Sequence, residues 1–373
     1  MRLANIGNLG VKELRSLLRD PIMLVLIVYA FTFAIYTAAS TMPETLNMAP
    51  IAIVDEDQSA LSTRIVDAFY PPYFTEPLLI SRAAMDKRMD EGLITFALDI
   101  PPNFQRDVLA GRHPDIQLNV DATRISQAFT GAGYIETIVA TEAAAFARRY
   151  RSETVLPVDL ALRARFNPSL SKSWFGAVVE IINQVTLLSI ILTGAALIRE
   201  REHGTIEHLL VMPVTPFEIM ISKIWSMALV VLVADAVSLI FVVQGLLKVP
   251  IEGSIVLFLV AAAVNLFATT SLGIFLATMA RSMPQFALLV ILMIVPLEML
   301  SGGVTPRESM PVLVRDIMLV APTTHFVSLA QAVLFRGAGL SVVWPQLIAL
   351  VAIGSVLFSL AAMRFRKVLS QMA

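Results

Sequence analysis

Long, almost uncharged stretches alternate with short charged links along this chain, and one extended polar region interrupts the alternation. The apolar stretches are residues 22–42, 173–198, 224–247, 253–280, 282–302 and 340–363. The purest, 253–280, contains no Asp, Glu, Lys or Arg. A bilayer core of about 30 Å is crossed by about 20 apolar residues in helical form, so the pattern predicts six transmembrane helices. Ahead of them, residues 8–20 place Leu14, Leu17 and Leu18 on one helical face and Lys12, Arg15 and Arg19 on the other. That arrangement predicts an amphipathic helix lying in the lipid headgroup plane and ended by Pro21. The uncharged run up to Pro43 exceeds the apolar core of a secretory leader, so the first stretch is expected to stay as an uncleaved span.

Between the first two stretches the period changes. Residues 51–54 form an apolar run of strand length, followed by the polar turn Asp55-Glu56-Asp57 and by Ser59, which can cap a helix carrying Leu61, Ile65, Val66 and Phe69. Residues 77–80 read as a second strand and 83–91 as a second helix closed by Gly92. Ile94, Phe96, Leu98 and Ile100 alternate with Thr95, Ala97 and Asp99, the period-two mark of a strand. Pro101-Pro102 opens a helix ending at Gly111, and Ile116, Leu118 and Val120 alternate again. A long helix over 125–151 and a closing strand over 159–166 complete a small α/β domain with partly parallel strands. The expected fold class is an α-helical polytopic membrane protein, six transmembrane helices with an α/β extracytoplasmic domain inserted between spans one and two. Its parts are the interfacial helix (1–21), the first span (22–43), the inserted domain (44–172), a five-span membrane domain (173–363) and a tail (364–373).

Composition agrees with a membrane location. Hydrophobic residues make up 57% of the 373 residues and charged ones 15%, against about 25% charged in soluble domains. Arg2, Lys12, Arg15, Arg19, Arg199, Arg201, Lys223, Arg281, Arg364, Arg366 and Lys367 fall in the leading segment, alternate links and tail. The opposite short loops carry only Lys248, Arg307, Arg315 and Arg336. Positive residues hold short loops in the cytoplasm, so both termini are expected inside and 44–172 outside.

Several chemistries are excluded. A net charge of −1 speaks against a nucleic-acid partner, which needs a surplus of clustered Lys and Arg. Without cysteine there is no disulfide, thiolate metal site or cysteine nucleophile. His113, His203, His208 and His325 are scattered, and the spacing of His203 and His208 does not stack them on one helical face, so no metal site is expected. Asp55, Glu56 and Asp57 lack the glycine and distal glutamate of a calcium loop. No G-x-S-x-G elbow and no G-x-x-x-x-G-K-[ST] phosphate loop occurs. This chain is not expected to be an enzyme or to hydrolyse ATP.

The link at 199–223 is the most distinctive passage. Arg199-Glu200-Arg201-Glu202 stops the span with alternating charge, and Gly204 permits a sharp turn. A short helix broken by Pro213 and Pro216 and another starting near Phe217 are expected. Leu209, Leu210, Val211 and Met212 are held outside the bilayer, which points to a protein partner. With this passage stand VDEDQSALS, IPPNF and NVDAT in the inserted domain and LSGGVTPRESMP at 300–311. Together they resemble the permease subunits of ABC type-2 exporters, in the YhhJ-type subgroup with a large outer domain. The resemblance implies a permease that pairs with itself or a sister permease and exports a substrate across the bacterial inner membrane. Two ABC ATPase subunits would bind it, with ATP-Mg held by those partners and no cofactor on this chain. Docking would fall on Arg199, Glu200, Arg201, Glu202, Gly204, Thr205, Glu207, Leu209, Leu210 and Met212, with parts of the leading helix. Residues from about 298 to 339 would form an outward re-entrant element, and a periplasmic adaptor is a further implied partner. Membrane lipids are the remaining partner.

Polar groups at membrane depth are costly and so are functional candidates. Glu180, with Asn183 and Gln184, lies in the outer part of span two, Asp235 in the middle of span three and Asn265 deep in span four. Glu298 stands where span five breaks before Gly302, Gly303 and Pro306. Each either lines a conduit or bonds helix to helix. Two rival functions stay open on these residues. One is a mechanotransmission scaffold that moves the outer domain without conducting solute; the other is a proton-coupled transporter relaying through Asp235 or Glu298.

Overall fold

The computed structural model describes residues 3–41, 46, 48–112, 114–121, 125–150, 172–202 and 214–370. They fall into two compact units, Met1–Met42 with Ala164–Ala373, and Pro43–Arg163. The chain begins with α1 (Leu3–Leu18). Asp20 caps α2 (Pro21–Tyr29), its carboxylate accepting from the Met23 N–H at 3.2 Å. A π-helical turn, Ala30–Ala34, carries α2 into α3 (Ile35–Thr41).

The inserted unit is a four-stranded sheet in the order β2-β1-β3-β4. Strand β1 (Ile51–Asp55) pairs in parallel with β2 (Leu78–Leu79) and β3 (Phe96–Ile100), and β4 (Gln117–Val120) runs antiparallel to β3. Strands β1 and β3 are covered on both faces, as the apolar run at 51–54 suits, so the alternating residues Ala97 and Asp99 of β3 are buried too rather than facing solvent. On one face lie α4 (Ala60–Asp67), α6 (Phe104–Leu109) and α7 (Ile125–Tyr150), with Leu61, Ile65, Phe104 and Ile135 packed on Ile51, Ile53, Leu98 and Ile100. On the other lies α5 (Arg82–Asp90), whose Met85 packs on Ala52, Val54 and Ala97. Ser59 forms a reciprocal cap with Ser62. The acidic turn is structural: Asp55 accepts from the N–H groups of Asp57 and Gln58, and Asp57 from that of Gln105. The expected closing strand at 159–166 lies outside the described residues.

The second unit continues with α8 (Lys172–Glu202), α9 (Pro216–Ser238) passing into a π-helical stretch Leu239–Leu246, and α10 (Ile255–Met279). Then follow α11 (Met283–Met299), α12 (Val312–Ile317), α13 (Pro322–Leu334) and α14 (Leu340–Ser370). Among the described residues, five stretches are long and apolar enough to cross a membrane: Pro21–Ser40, Ser173–Glu202, Pro216–Leu246, Ile255–Met279 and Leu340–Val368. The fifth expected span, 282–302, differs. It is the 17-residue α11, about 25 Å long at 1.5 Å per residue and short of a full crossing. Leu300 leaves helical geometry and Gly302 takes φ +97°, a conformation open to glycine. Beyond it, Val312–Val320 and Pro322–Leu334 meet at 90°, as a broken span or re-entrant pair. Pro322 cannot continue a preceding helix, which places the bend at Ala321.

Helix α10 packs against α8, α9, α13 and α14. Apolar helices gain little from hydrophobicity when their surroundings are equally apolar, so close backbone approach and hydrogen bonds do the work. At the α8–α10 crossing a Cβ on Gly273 would stand 2.6 Å from the Ile190 carbonyl oxygen, and Ser189 Oγ donates to Thr269 Oγ1 at 2.7 Å. Gly273→Leu is therefore expected to push the two helices apart and cost at least about 1–3 kcal/mol, read as a lower apparent Tm of the purified protein. Gly339→Ala, which adds a Cβ into open space, is expected to leave Tm unchanged.

Candidate functional site

Successive residues of a helix point about 100° apart, so four in a row at a helix end face nearly every direction. Arg199, Glu200, Arg201 and Glu202, the last residues of α8, use this to grip a different neighbour each. Arg199 donates to Asp20 at 2.8 Å, the same carboxylate that caps α2. Glu200 receives Lys12 of α1 at 3.0 Å and Lys223 of α9 at 2.7 Å. Arg201 donates to the carbonyls of Ala277 and Ala280 at the C-terminal end of α10, where a cation suits the helix dipole. Glu202 accepts from the Met283 N–H at 2.8 Å, supplying from α8 the cap that Ser282 does not give α11.

Lys223 is the centre of this knot. Only 1% of its side chain is exposed, and its ammonium lies between Glu200 and Glu13 of α1, the latter at 3.0 Å. Lys12, Lys223, Glu13 and Glu200 together carry no net charge, the condition for burying such ions. Burial lowers the affinity of Lys12 for its proton, yet Glu200 beside it outweighs that and raises its pKa. Burial pushes the Glu13 carboxyl up against the pull of Lys223, and Glu200 adds to the rise. Around the charges α1 is seated by shape: Trp225 donates to the Ile6 carbonyl at 3.2 Å, and a Cβ on Gly10 would stand 2.1 Å from the Trp225 ring. A cavity of about 280 Å³ adjoins the cluster, walled by Leu17, Leu192, Ala196 and Met227.

This changes two expectations. The face of α1 that packs inward is Ile6, Gly10, Glu13 and Leu17, while Leu18 is exposed, because α9 offers a lysine that makes burying Glu13 possible. Lys223 lies in a helix that Thr215 caps and Pro216 starts, in agreement with the helix expected near Phe217, and this helix continues without a break into the span expected from residue 224. Arg199, Glu200, Arg201 and Glu202, expected to meet a partner chain, hold helices of their own chain. Gly204, Thr205, Glu207, Leu209, Leu210 and Met212 lie outside the described residues.

The membrane-depth polar residues are not gathered into one site. Gln184 donates to Glu180 at 2.6 Å within α8. Asp235 and Asn265 are fully buried, and among the described residues neither side chain has a hydrogen-bond partner. At the break after α11, Ser301 donates to the Glu298 carbonyl, Gly303 lies against Val179 of α8, and Pro306 precedes a short 3₁₀ turn. Lys12, Glu13, Asp20 and Lys223 escaped sequence reasoning. Their signal was a lone Glu on the face shared with Leu17, and a Lys close to an uncharged run. Among the described residues no group of three or more His, Asp or Glu is placed to hold a metal ion.

Comparison with known proteins adds an independent line. The family described as ABC-2 family transporter protein matches residues 21–363. The chain is 62% identical to the inner membrane transport permease YhhJ of Escherichia coli (strain K12) over 371 residues, covering 100% of this chain and 99% of that protein. It is 28% identical over 367 residues to the probable multidrug ABC transporter permease YbhR of the same strain, covering 95% and 96%. With the probable multidrug ABC transporter permease YbhS, also of that strain, identity is 26% over 343 residues, 88% of each.

Removing the central cation tests the knot. Lys223→Met leaves Glu13 and Glu200 without it and is expected to cost about 3–5 kcal/mol. The readouts are a lower apparent Tm and faster amide hydrogen exchange across α1. Adding Glu13→Gln and Glu200→Gln to that variant is expected to recover most of the loss, because the cost lies in stranded charge.

Proposed function

Since this chain belongs to the ABC-2 family of transporter proteins and is a multi-pass permease of the inner membrane, we propose that it is the transmembrane subunit of an ATP-driven exporter whose ATP is hydrolysed on a separate chain. The ATPase docks on residues 203–213, with Gly204, Thr205, Glu207, Leu209, Leu210 and Met212 in the contact. Both termini are cytoplasmic, and the α/β unit lies outside. The permease works as a dimer with itself or a sister permease, and a periplasmic adaptor is a further partner. The multidrug names of two relatives support drug-like amphiphiles as cargo.

The observation that carries this reading is the four-way grip of residues 199–202, immediately before the docking loop. A push on the loop reaches α1, α2, α9, α10 and α11 within one helical turn. A loop that merely tied two spans would have no use for such a junction. The work of ATP binding is thereby delivered to the bundle as a rigid displacement rather than absorbed at one helix end.

The two layers separate by experiment. Leu210→Asp and Glu207→Lys are expected to abolish copurification of the ATPase while the permease stays folded. Arg201→Ala, which releases only the end of α10, is expected to keep the ATPase bound and lower transport-coupled hydrolysis several-fold. An ATPase that copurifies with Leu210→Asp and stays coupled would overturn the docking assignment.

A further inference from the structure

The cavity of about 280 Å³ between α1, α8 and α9 has no part in the transport reading. Its depth in the membrane follows from the ends of two spans. Asp20 immediately precedes the first, Pro21–Ser40, and Arg199 stands in the last turn of the second, Ser173–Glu202. The two side chains are bonded at 2.8 Å, so both spans leave the bilayer at this level. The cavity begins there and reaches along α8 to Leu192, about 10 Å away at 1.5 Å per residue. It therefore runs from headgroup depth to the start of the apolar layer.

The lining changes character over that distance. Lys12, Ser16 and Arg199 stand at the rim, and Leu17, Leu192, Ala196 and Met227 close the base. The acidic wall residues are already spent: Glu13 and Glu200, 9% and 11% exposed, both face Lys223. The basic ones are open to an occupant, Lys12 with 53% and Arg199 with 33% of the side chain exposed. An ammonium has three hydrogens to give, and Lys12 gives one to Glu200 at 3.0 Å. Ser16, one turn further along α1, is exposed beside it. Arg15 and Arg19 add positive charge on the outer side of the same helix. An occupant of the rim thus meets accessible cations and a hydroxyl, while the carboxylates lie behind against Lys223. Basic pockets between helices at the membrane surface suit lipid headgroups.

We propose that this cavity binds one anionic phospholipid. Its phosphodiester accepts hydrogen bonds from Lys12 and Ser16 beside the Arg199 guanidinium, its glycerol carbons rest on the apolar base, and its acyl chains continue in the bilayer. A free inorganic anion fits less well, because it would give up water against Leu17, Leu192, Ala196 and Met227 for no return. The bound lipid joins α1 to the end of α8 at the rim of the Lys223 knot. The proposal rests on the membrane location of the chain, and on neither export nor ATPase docking.

The test is native mass spectrometry of the delipidated full-length protein in a neutral detergent. It is titrated with dioleoylphosphatidylglycerol, with dioleoylphosphatidylcholine, and with glycerophosphate as the headgroup alone. The first phosphatidylglycerol is expected to bind saturably at one per chain, about fivefold or more tighter than phosphatidylcholine, and glycerophosphate not at all. Lys12→Gln is expected to weaken that first site about tenfold, the loss of one charge-assisted hydrogen bond. Arg15→Gln removes the same charge from an exposed position outside the cavity and is expected to change it less than about twofold. Ser16→Phe keeps every charge but sets a ring over the rim, and is expected to abolish the preference for phosphatidylglycerol. Should Lys12→Gln fail to fold, Ser16→Phe and Arg15→Gln still decide, since both positions are exposed. Equal binding of the two lipids, saturable binding of glycerophosphate, an Arg15→Gln loss as large as that of Lys12→Gln, or a Ser16→Phe variant that keeps the preference overturns the proposal.

Discussion

An ammonium ion with almost no solvent exposure has to be neutralised where it lies, and Lys223 is neutralised by carboxylates from two other helices. Much of the geometry at this end of the membrane unit follows from that constraint. Glu13 reaches the ammonium only if α1 lies along α9, and Gly10 is the residue that lets Trp225 come close enough. Glu200 reaches it only at one rotation of α8 about its axis. Once that rotation is set, helical geometry leaves no freedom to its neighbours. Arg199 must fall toward Asp20, Arg201 toward the carbonyl end of α10, and Glu202 toward the first amide of α11. One buried charge thus fixes α1 and the register of three further helix ends.

The apolar runs were legible because bilayer thickness dictates their length, and the α/β alternation because strands buried on both faces and capped helices have distinct periods. Legibility failed where an outcome depended on a distant partner. Thr215, Pro216 and Glu218 signal a helix start locally, and one was expected near Phe217, but nothing local says that Glu13 waits opposite Lys223. The stripe of α1 was misjudged for the same reason: a helix alone gives no cause to bury a glutamate ahead of Leu18. Residues 282–302 have the composition of a span, yet α11 is cut short because Gly302 adopts a positive φ and turns the chain back toward α8. The motif at 199–202 was found, but sequence alone did not show that its four side chains each hold a different helix of this chain.

The two units solve the problem of stability differently. The inserted unit buries a sheet between helices, with Phe74 and Phe96 edge to face beneath α7 and a second small cluster under α5. Its acidic residues are put to different uses. Asp55 and Asp57 are consumed in holding turns, whereas Asp99 keeps a bare oxygen at the end of β3. The membrane unit relies on glycine contacts and hydroxyls returned to their own helix carbonyls, as at Thr186, Thr193, Thr270 and Ser271. Such hydroxyls cost little at depth because each donor is satisfied one turn away.

Stiffness is also distributed unevenly. Helix α8 runs 31 residues without proline, about 46 Å at 1.5 Å per residue. It extends from the segment that follows the inserted unit in sequence to the four-way grip. Helix α10 beside it is likewise unbroken by proline. The first span and α9 instead pass through π-helical segments, Ala30–Ala34 and Leu239–Leu246, where the ladder of hydrogen bonds widens. Asp235 and Ser238, both buried with side-chain oxygens unpartnered among the described residues, stand in the turn that leads into the second of these. Two helices with unbroken hydrogen-bond ladders thus stand beside two whose ladders widen. Under the coupling proposed above, a push arriving at residues 199–202 would meet the unbroken ladders of α8 and α10 first, and the widened turns of the first span and α9, the latter beside the unpartnered Asp235 and Ser238, would be the places to yield.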